Sequence, residues 1–378
     1  MKQTITTLLF TLLSLTVMAQ DDLTTEIKSL YNNQKYDEII VSHAAEAKKY
    51  PAKAIYYIGM AYYMKADDNN CVKYMDMSID KDQSDPDAYY IKGMTYNYMG
   101  QFDNAIKSFI KAIELNNTSG YYYSGLGDSY LSQDELDKAL EAYQKATEQE
   151  NAPDRPFSMI PQIYNSLNQK DKALAAFYVA KDKISKETDS YINVLYNIGL
   201  FELLAENYEK AETAFTELVE LAPNDYHSYA KLIQIHYARK QYDKAEPLKK
   251  KLYDAHSEGL LKDNMKDMFC FDQFKWNDKL IQVFERFAEP EGKLYYKHLF
   301  YVVNKDSEIE YRIQTENSVI SVELGGPKYV LGMDKGDTHS TFNVGFNEDF
   351  NYNYLKSTVI EILEGKLKPG ASSRPGKK

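Results

Sequence analysis

Tyr62, Tyr96, Tyr130 and Tyr164 stand 34 residues apart, and Gly59, Gly93 and Gly127 keep the same step, with Pro161 in the next place. Ala105, Ala139 and Ala173 keep it, as do Ala112, Ala146 and Ala180. After a slip of four residues the step resumes at Ala211 and Ala245. A fixed period of this length marks units that cannot bury their apolar faces alone and must stack on their neighbours. Such an array presents a long surface to partners, so the class of function it points to is binding.

One unit, residues 86–119, shows how the period works. Tyr89, Gly93, Tyr96 and Met99 fall at helical spacing on one face, and Met99-Gly100-Gln101 breaks that helix. Phe102-Asp103-Asn104 opens a second helix, whose apolar face is Ala105, Ile106, Phe109, Ile110, Ala112 and Ile113. Gly93 lets the two helices approach. Ala105 and Ala112 leave room for the large rings of the adjoining helix, where a bulkier side chain would overpack.

These residues resemble the tetratricopeptide repeat family. Tyr123-Ser124-Gly125-Leu126-Gly127, Tyr130, Ala139, Tyr143 and Ala146 match its pattern closely. Ile58-Gly59, Tyr62, Cys71 and Met75 carry it in residues 52–85. Ile198-Gly199, Tyr208, Ala211, Phe215, Leu218 and Pro223 carry it in 192–225, and Leu232, Tyr242, Ala245 and Leu252 in 226–259. A degenerate first pair spans about 21–51. The resemblance implies seven antiparallel helix pairs wound into a right-handed α-α superhelix, with the first helices lining its concave face. Three departures stand out. Lys92 replaces the family's Leu, and its stem is expected to cover apolar surface while the ammonium stays wet. Pro161 removes a backbone donor, which predicts a helix that kinks or starts late. The four extra residues lie in Lys183–Ser190, and Asn151–Pro156 also reads as loop, so a bend is expected between the fourth and fifth periodic units.

By period, the first-helix residues not needed in the core are Lys53, Tyr56, Met60, Tyr63 and Met64, then Asp87, Tyr90, Met94, Asn97 and Tyr98. The next units place Ser124, Asp128, Leu131, Arg155, Ser158, Gln162 and Asn165 there. Tyrosine is rigid with a polar tip and methionine is adaptable, so both suit a peptide-binding groove. The same rings also suit packing between neighbouring first helices, and both readings stand at this point. The carboxylate clamp known in part of the family wants polar or basic groups where Tyr56, Met60 and Tyr90 stand, so that function does not carry over.

Beyond about Gly259 the period ends and composition turns aromatic and β-branched. Ile309–Ile313, Ile320–Leu324 and Phe342–Phe346 alternate strictly. Asn304–Ser307, Thr315–Asn317, Gly325–Pro327 and Asp334–Asp337 are turn-like. Leu294–Val303 reads as a longer strand and Leu280–Phe287 as a strand or short helix. Tyr352, Leu355, Val359, Ile362 and Leu363 form a helical stripe that stops at Gly365. The class is therefore α+β: a solenoid over 20–259, then a small antiparallel β domain with a C-terminal helix over 260–365. Lys366, Lys368, Arg374, Lys377 and Lys378 make 366–378 a basic tail expected to be disordered.

Residues 1–19 read as a secretory signal peptide: Lys2, an apolar Ile5–Val17, then Val17-Met18-Ala19. No cysteine follows the expected cut near Gln20, so the lipoprotein pattern is absent. The expected location is periplasmic or secreted. The two cysteines, Cys71 and Cys270, exclude a disulfide scaffold. A formal charge of −11 disfavours nucleic acid as the main partner, and no later segment is apolar enough to span a bilayer.

Catalytic signatures are missing. Asp334, Asp337 and His339 sit together in a turn, where turn composition explains them as well as a metal does. Asp80, Asp82, Asp85 and Asp87 lack the glycine and terminal Glu of a calcium loop. Ser124-Gly125-Leu126-Gly127 falls inside a repeat helix and is packing. His43 and His236 lie at repeat core positions. No catalytic, metal or cofactor residue is assigned. The leading expectation is an exported, non-enzymatic adaptor that binds a protein or peptide of the cell envelope through its concave groove. The alternatives are an envelope enzyme whose C-terminal domain does the chemistry, and a structural part of an envelope assembly.

Overall fold

The computed structural model describes residues 22–287, 298–319, 328–345 and 352–370. The signal-peptide segment, the alternating run at Ile320–Leu324, the Gly325–Pro327 turn and residues 371–378 of the basic tail lie outside them. The chain forms two compact units, Met1–Val194 and Leu195–Lys378.

In the first unit, α1 covers 22–32 and α2 (Tyr36–His43) continues as a 3-10 turn, Ala44–Lys49. Then come α3 (Ala52–Met64), α4 (Asp68–Lys81), α5 (Pro86–Tyr98), α6 (Phe102–Leu115), α7 (Gly120–Ser132), α8 (Leu136–Thr147), α9 (Asp154–Ser166) and α10 (Lys170–Lys183). The first helices start at 52, 86, 120 and 154 and the second at 68, 102, 136 and 170, so the period of 34 is also the period of the backbone. The small residues do what their spacing predicts. Ala105, Ala112, Ala139, Ala146, Ala173 and Ala180 are all fully buried. A Cβ added at Gly93 would stand 2.9 Å from the Phe109 ring, and one at Gly127 would stand 2.7 Å from Tyr143. Each glycine is thus the socket for the ring of its partner helix, and filling it forces overpacking. Ser124-Gly125-Leu126-Gly127 is packing of this kind, since Gly125 also faces Phe109. Ile110, expected on the apolar face of α6, is 40% exposed. It lies one residue past Phe109, on the far side of the stripe.

Pro161 does not delay its helix. α9 begins at Asp154, in step with the others, and runs through Pro161 to Ser166. The proline ring is buried, and Met159, Ile160 and Ile163 beside it pack around Tyr143, so packing holds the helix across the missing hydrogen bond. Pro156, expected in a loop, sits in the first turn of α9, where a helix needs no donor. Lys92 behaves as its long stem predicts: it pairs with Asp76 across α4 and α5, with its ammonium 5.7 Å from the Tyr96 ring.

α11 (Asp189–Leu204) spans the boundary between the units. It has 16 residues against 13 in α3, α5, α7 and α9. It starts three residues ahead of the place that a step of 34 back from Tyr226 would give, so most of the four-residue insertion lengthens this helix. The second unit continues with α12 (Tyr208–Leu221), α13 (Tyr226–Ala238) and α14 (Tyr242–Ser257), which completes seven helix pairs. A 3-10 turn, Asp263–Met265, leads into six strands: β1 (Met268–Trp276), β2 (Lys279–Arg286), β3 (His298–Val303), β4 (Ile309–Val319), β5 (Lys328–Lys335) and β6 (Thr338–Gly345). They form one antiparallel sheet in chain order, and α15 (Tyr352–Leu363) follows.

The sheet and the last helix pair share one core. Phe269, Phe271, Ile281, Val283, Phe300, Val302, Ile313, Leu331, Phe342 and Val344 from alternate strand positions pack with Ala230, Ile233, Leu252 and Ala255 of α13 and α14 and with Leu355, Val359 and Ile362 of α15. One expected turn needs correction, and one strand was missed. Thr315–Asn317 is no turn; it is a bulge inside β4, where the register to β5 slips. A bulge inserts one unpaired residue without ending the strand, and its polar residues read like a turn. The strand β1 was not foreseen. Its signal was Phe269 alternating with Phe271, followed by a tight Asn277-Asp278 turn in which Asn277 has φ 52°. Leu367 packs on this core and the Gly370 N–H donates to the Thr341 carbonyl at 2.9 Å, so the chain beyond α15 lies against β6 as far as Gly370.

Candidate functional site

Successive first helices of the first unit touch one another, α3 to α5, α5 to α7 and α7 to α9. The first helices therefore share one continuous surface, and the period puts Tyr56, Met60, Tyr63, Met64, Tyr90, Met94, Asn97 and Tyr98 on these helices.

The structure sorts these eight residues. Tyr56, Met60, Tyr63 and Tyr90 are half-buried and pack on the core of Cys71, Met75, Ala88 and Ile91. Tyr90 leans on Phe109 and on Tyr122, 5.2 Å away between ring centres. Asn97 spends its side chain on α7, accepting from Ser129 Oγ at 2.8 Å and reaching the Gly125 carbonyl at 3.4 Å. Met94 is half-buried. Tyr98 and Met64 face solvent, at 68% and 49% exposure. Tyr98 lies against Tyr63, 5.9 Å between ring centres, so the exposed ring stands on a half-buried one. Packing and surface are thus divided among the residues.

The flanking charges are tied up. Lys53 pairs with Asp85 at 2.9 Å and sits 4.1 Å over the Tyr56 ring. Tyr122 donates to Asp87 at 2.6 Å, and Asp128 takes both Tyr143 and Arg155. Burial, with Tyr121 and Asp128 nearby, pushes the Tyr90 hydroxyl up to about 12. Burial and the hydrogen bond with Tyr98 raise Tyr63 further. These phenols stay neutral at any physiological pH, so the surface offers rings and O–H donors without charge. Sequence reasoning missed Tyr121, which is 48% exposed on α7. It stands one period after Asp87, where nothing aromatic marks the place. It also missed the row Tyr36–Tyr31–Tyr57–Tyr56, linked ring to ring at 5.4–5.7 Å, because α1 carries no clear repeat.

Cys71 is buried with Sγ 3.2 Å from Thr95 Oγ1, and burial pushes its thiol up to about 11. Both cysteines are free. His43 and His236 are buried at their repeat positions. His339 Nδ1 lies 2.6 Å from Asp334 across β5 and β6, while Asp337 is in the connecting turn. Among the described residues no three His, Cys, Asp or Glu converge as a metal site would need, and no helix is long and apolar enough to cross a membrane.

Tetratricopeptide repeat models match residues 86–119, 121–153 and 197–259 of the helical array. No curated protein matches the chain. Among solved structures, MamA is 23% identical over 44% of this chain and 95% of its own, with a TM-score of 0.40. YrrB, described as a TPR protein with an unusual peptide-binding site, is 18% identical over 51% of this chain and 94% of its own, with a TM-score of 0.41. PilF of Pseudomonas aeruginosa is 13% identical over 54% of this chain and 90% of its own, with a TM-score of 0.44.

Proposed function

We propose that this chain is an exported, non-enzymatic adaptor that binds a segment of another cell-envelope protein on the inner surface of its first unit. The observation that carries the reading is the exposure of Tyr98 and Met64 on top of a half-buried row of rings. An aromatic ring held in place by a second ring pays little entropy when a partner covers it, and tyrosine is a common anchor of binding energy. Export rests on the leader-like Ile5–Val17 stretch after Lys2. Because the surface rings are neutral and the nearby charges are paired within the fold, binding depends weakly on salt.

Tyr98→Ala together with Met64→Ala tests it. Both side chains are largely exposed, so the fold stays cooperative, while partner binding weakens by about 2 kcal/mol or more. Affinity capture from envelope extract, quantified against the unaltered chain, reads the loss. Undiminished capture of the same partners by the double variant contradicts the reading.

A further inference from the structure

The second unit holds a cleft of about 470 Å³, floored by β1 and walled by the ends of α11 and α13, the starts of α12 and α14, and α15. Tyr237, Phe274, Leu280 and Tyr352 give it apolar sides. Asp272, only 2% exposed, lies at the bottom. It accepts hydrogen bonds from the Tyr352 hydroxyl and, at 2.8 Å, from Lys356 Nζ. The same ammonium sits 3.9 Å over the Phe274 ring. Lys356 is therefore pinned from two sides, yet its side chain remains 29% exposed. An ammonium has three donors, and Asp272 occupies one.

The charge balance of the lining gives the sign of the ligand. Glu206 pairs with Lys275 at 3.1 Å and Asp272 pairs with Lys356, while Lys240 makes no ion pair among the described residues. The lining is net positive in a chain of charge −11. A fixed cation beside aromatic walls, in a space of the size that small ligands fill, suits a body that is apolar at one end and anionic at the other. We infer that this cleft binds a small carboxylic acid with an apolar or aromatic body, its carboxylate on Lys356 and Lys240 and its body against Tyr237 and Phe274. The site is separate from the inner surface of the first unit and does not depend on the adaptor reading.

Isothermal titration of the full chain with 3-phenylpropionate, and with 3-phenylpropionamide as its uncharged match, tests the inference. The acid saturates and the amide binds at least about tenfold more weakly, since a hydrogen bond to a charged group is lost. Lys356→Gln weakens the acid by a similar factor. Because that change leaves Asp272 without its cation, Lys240→Gln is measured beside it; it keeps the Asp272 pair intact and weakens the acid without changing the melt. Equal binding of acid and amide, no saturation by the acid below about 10 mM, or full affinity in a folded Lys240→Gln chain overturns the assignment.

Discussion

Between the two helices of each pair, one residue turns the backbone left-handed: Gln34, Ala66, Gly100, Asp134, Asn168, Glu206 and Lys240 all have φ between 55° and 70°. Only one of them is glycine, the residue that takes this conformation without cost. Ala66 pays it in full, with no polar side chain to offset it. Ala66→Gly should therefore stabilise the chain by about 1 kcal/mol, seen as a higher urea midpoint. The opposite sign holds at Ala139, which is fully buried among Tyr143 and Ile163. Ala139→Leu should cost about 1–3 kcal/mol by overpacking, and an unchanged thermal midpoint would refute the packing described. The contrast explains what was legible. The alanine and glycine ladder restricts side-chain volume, so it shows in the sequence. The left-handed turns restrict only φ, which Asp, Asn, Glu and Lys all accept here, so the sequence marks them at Gly100 alone.

At the scale of elements, α14 is fastened to β2 by a buried acid. Glu285 is fully buried, Lys249 Nζ lies 2.7 Å from it and the Tyr253 hydroxyl 2.6 Å, with His298 Nε2 at 3.6 Å. Burial alone would raise its carboxyl, but His298, Lys249 and Tyr253 outweigh that and hold it well below the usual carboxylate range. The folded chain therefore binds this proton less readily than the unfolded one. Its stabilisation is complete above the unfolded carboxylate value, about 4.3, and is lost as pH falls from there toward the folded value. Glu285→Gln should cost about 3 kcal/mol at pH 7, since Lys249 loses its close buried partner and keeps only the exposed Glu246 at 3.9 Å. In urea melts that difference should narrow at pH 3. A difference independent of pH would show that the carboxylate charge does not matter. No sequence period announces this cluster, because it joins residues of α14, β2 and β3 that local pattern does not relate. The start of β4 and the end of β6 were legible from alternation at Ile309–Ile313 and Phe342–Phe346, β3 read as a longer strand and β2 as a strand or short helix; β1 and the β4 bulge were not legible, as an aspartate-bearing run and a polar bulge imitate loop.

At the scale of the molecule, the period stops near Gly259 but the second unit's core does not. Ala230, Ile233, Leu252 and Ala255 of the last repeat pack directly on the sheet. A chain cut after Gly259 should lose the cooperative melt of α13 and α14 and gain dye-binding apolar surface, because the sheet that covers them is gone. A single cooperative melt of the 22–259 chain without added dye binding would contradict a shared core. The candidate surface was legible as a set of positions, because period fixes face. How each residue divides between packing and exposure needed the fold, although it follows the period: Tyr63 and Asn97 are both half-buried, while Met64 and Tyr98 are both exposed. The most direct test of the adaptor reading puts a photo-crosslinking p-benzoyl-phenylalanine at Tyr98 in living cells, and at Lys107, exposed on α6, as the control. The account predicts one dominant cross-linked envelope protein from position 98 and none of it from position 107. The same cross-link pattern from both positions, or none from 98, would contradict it.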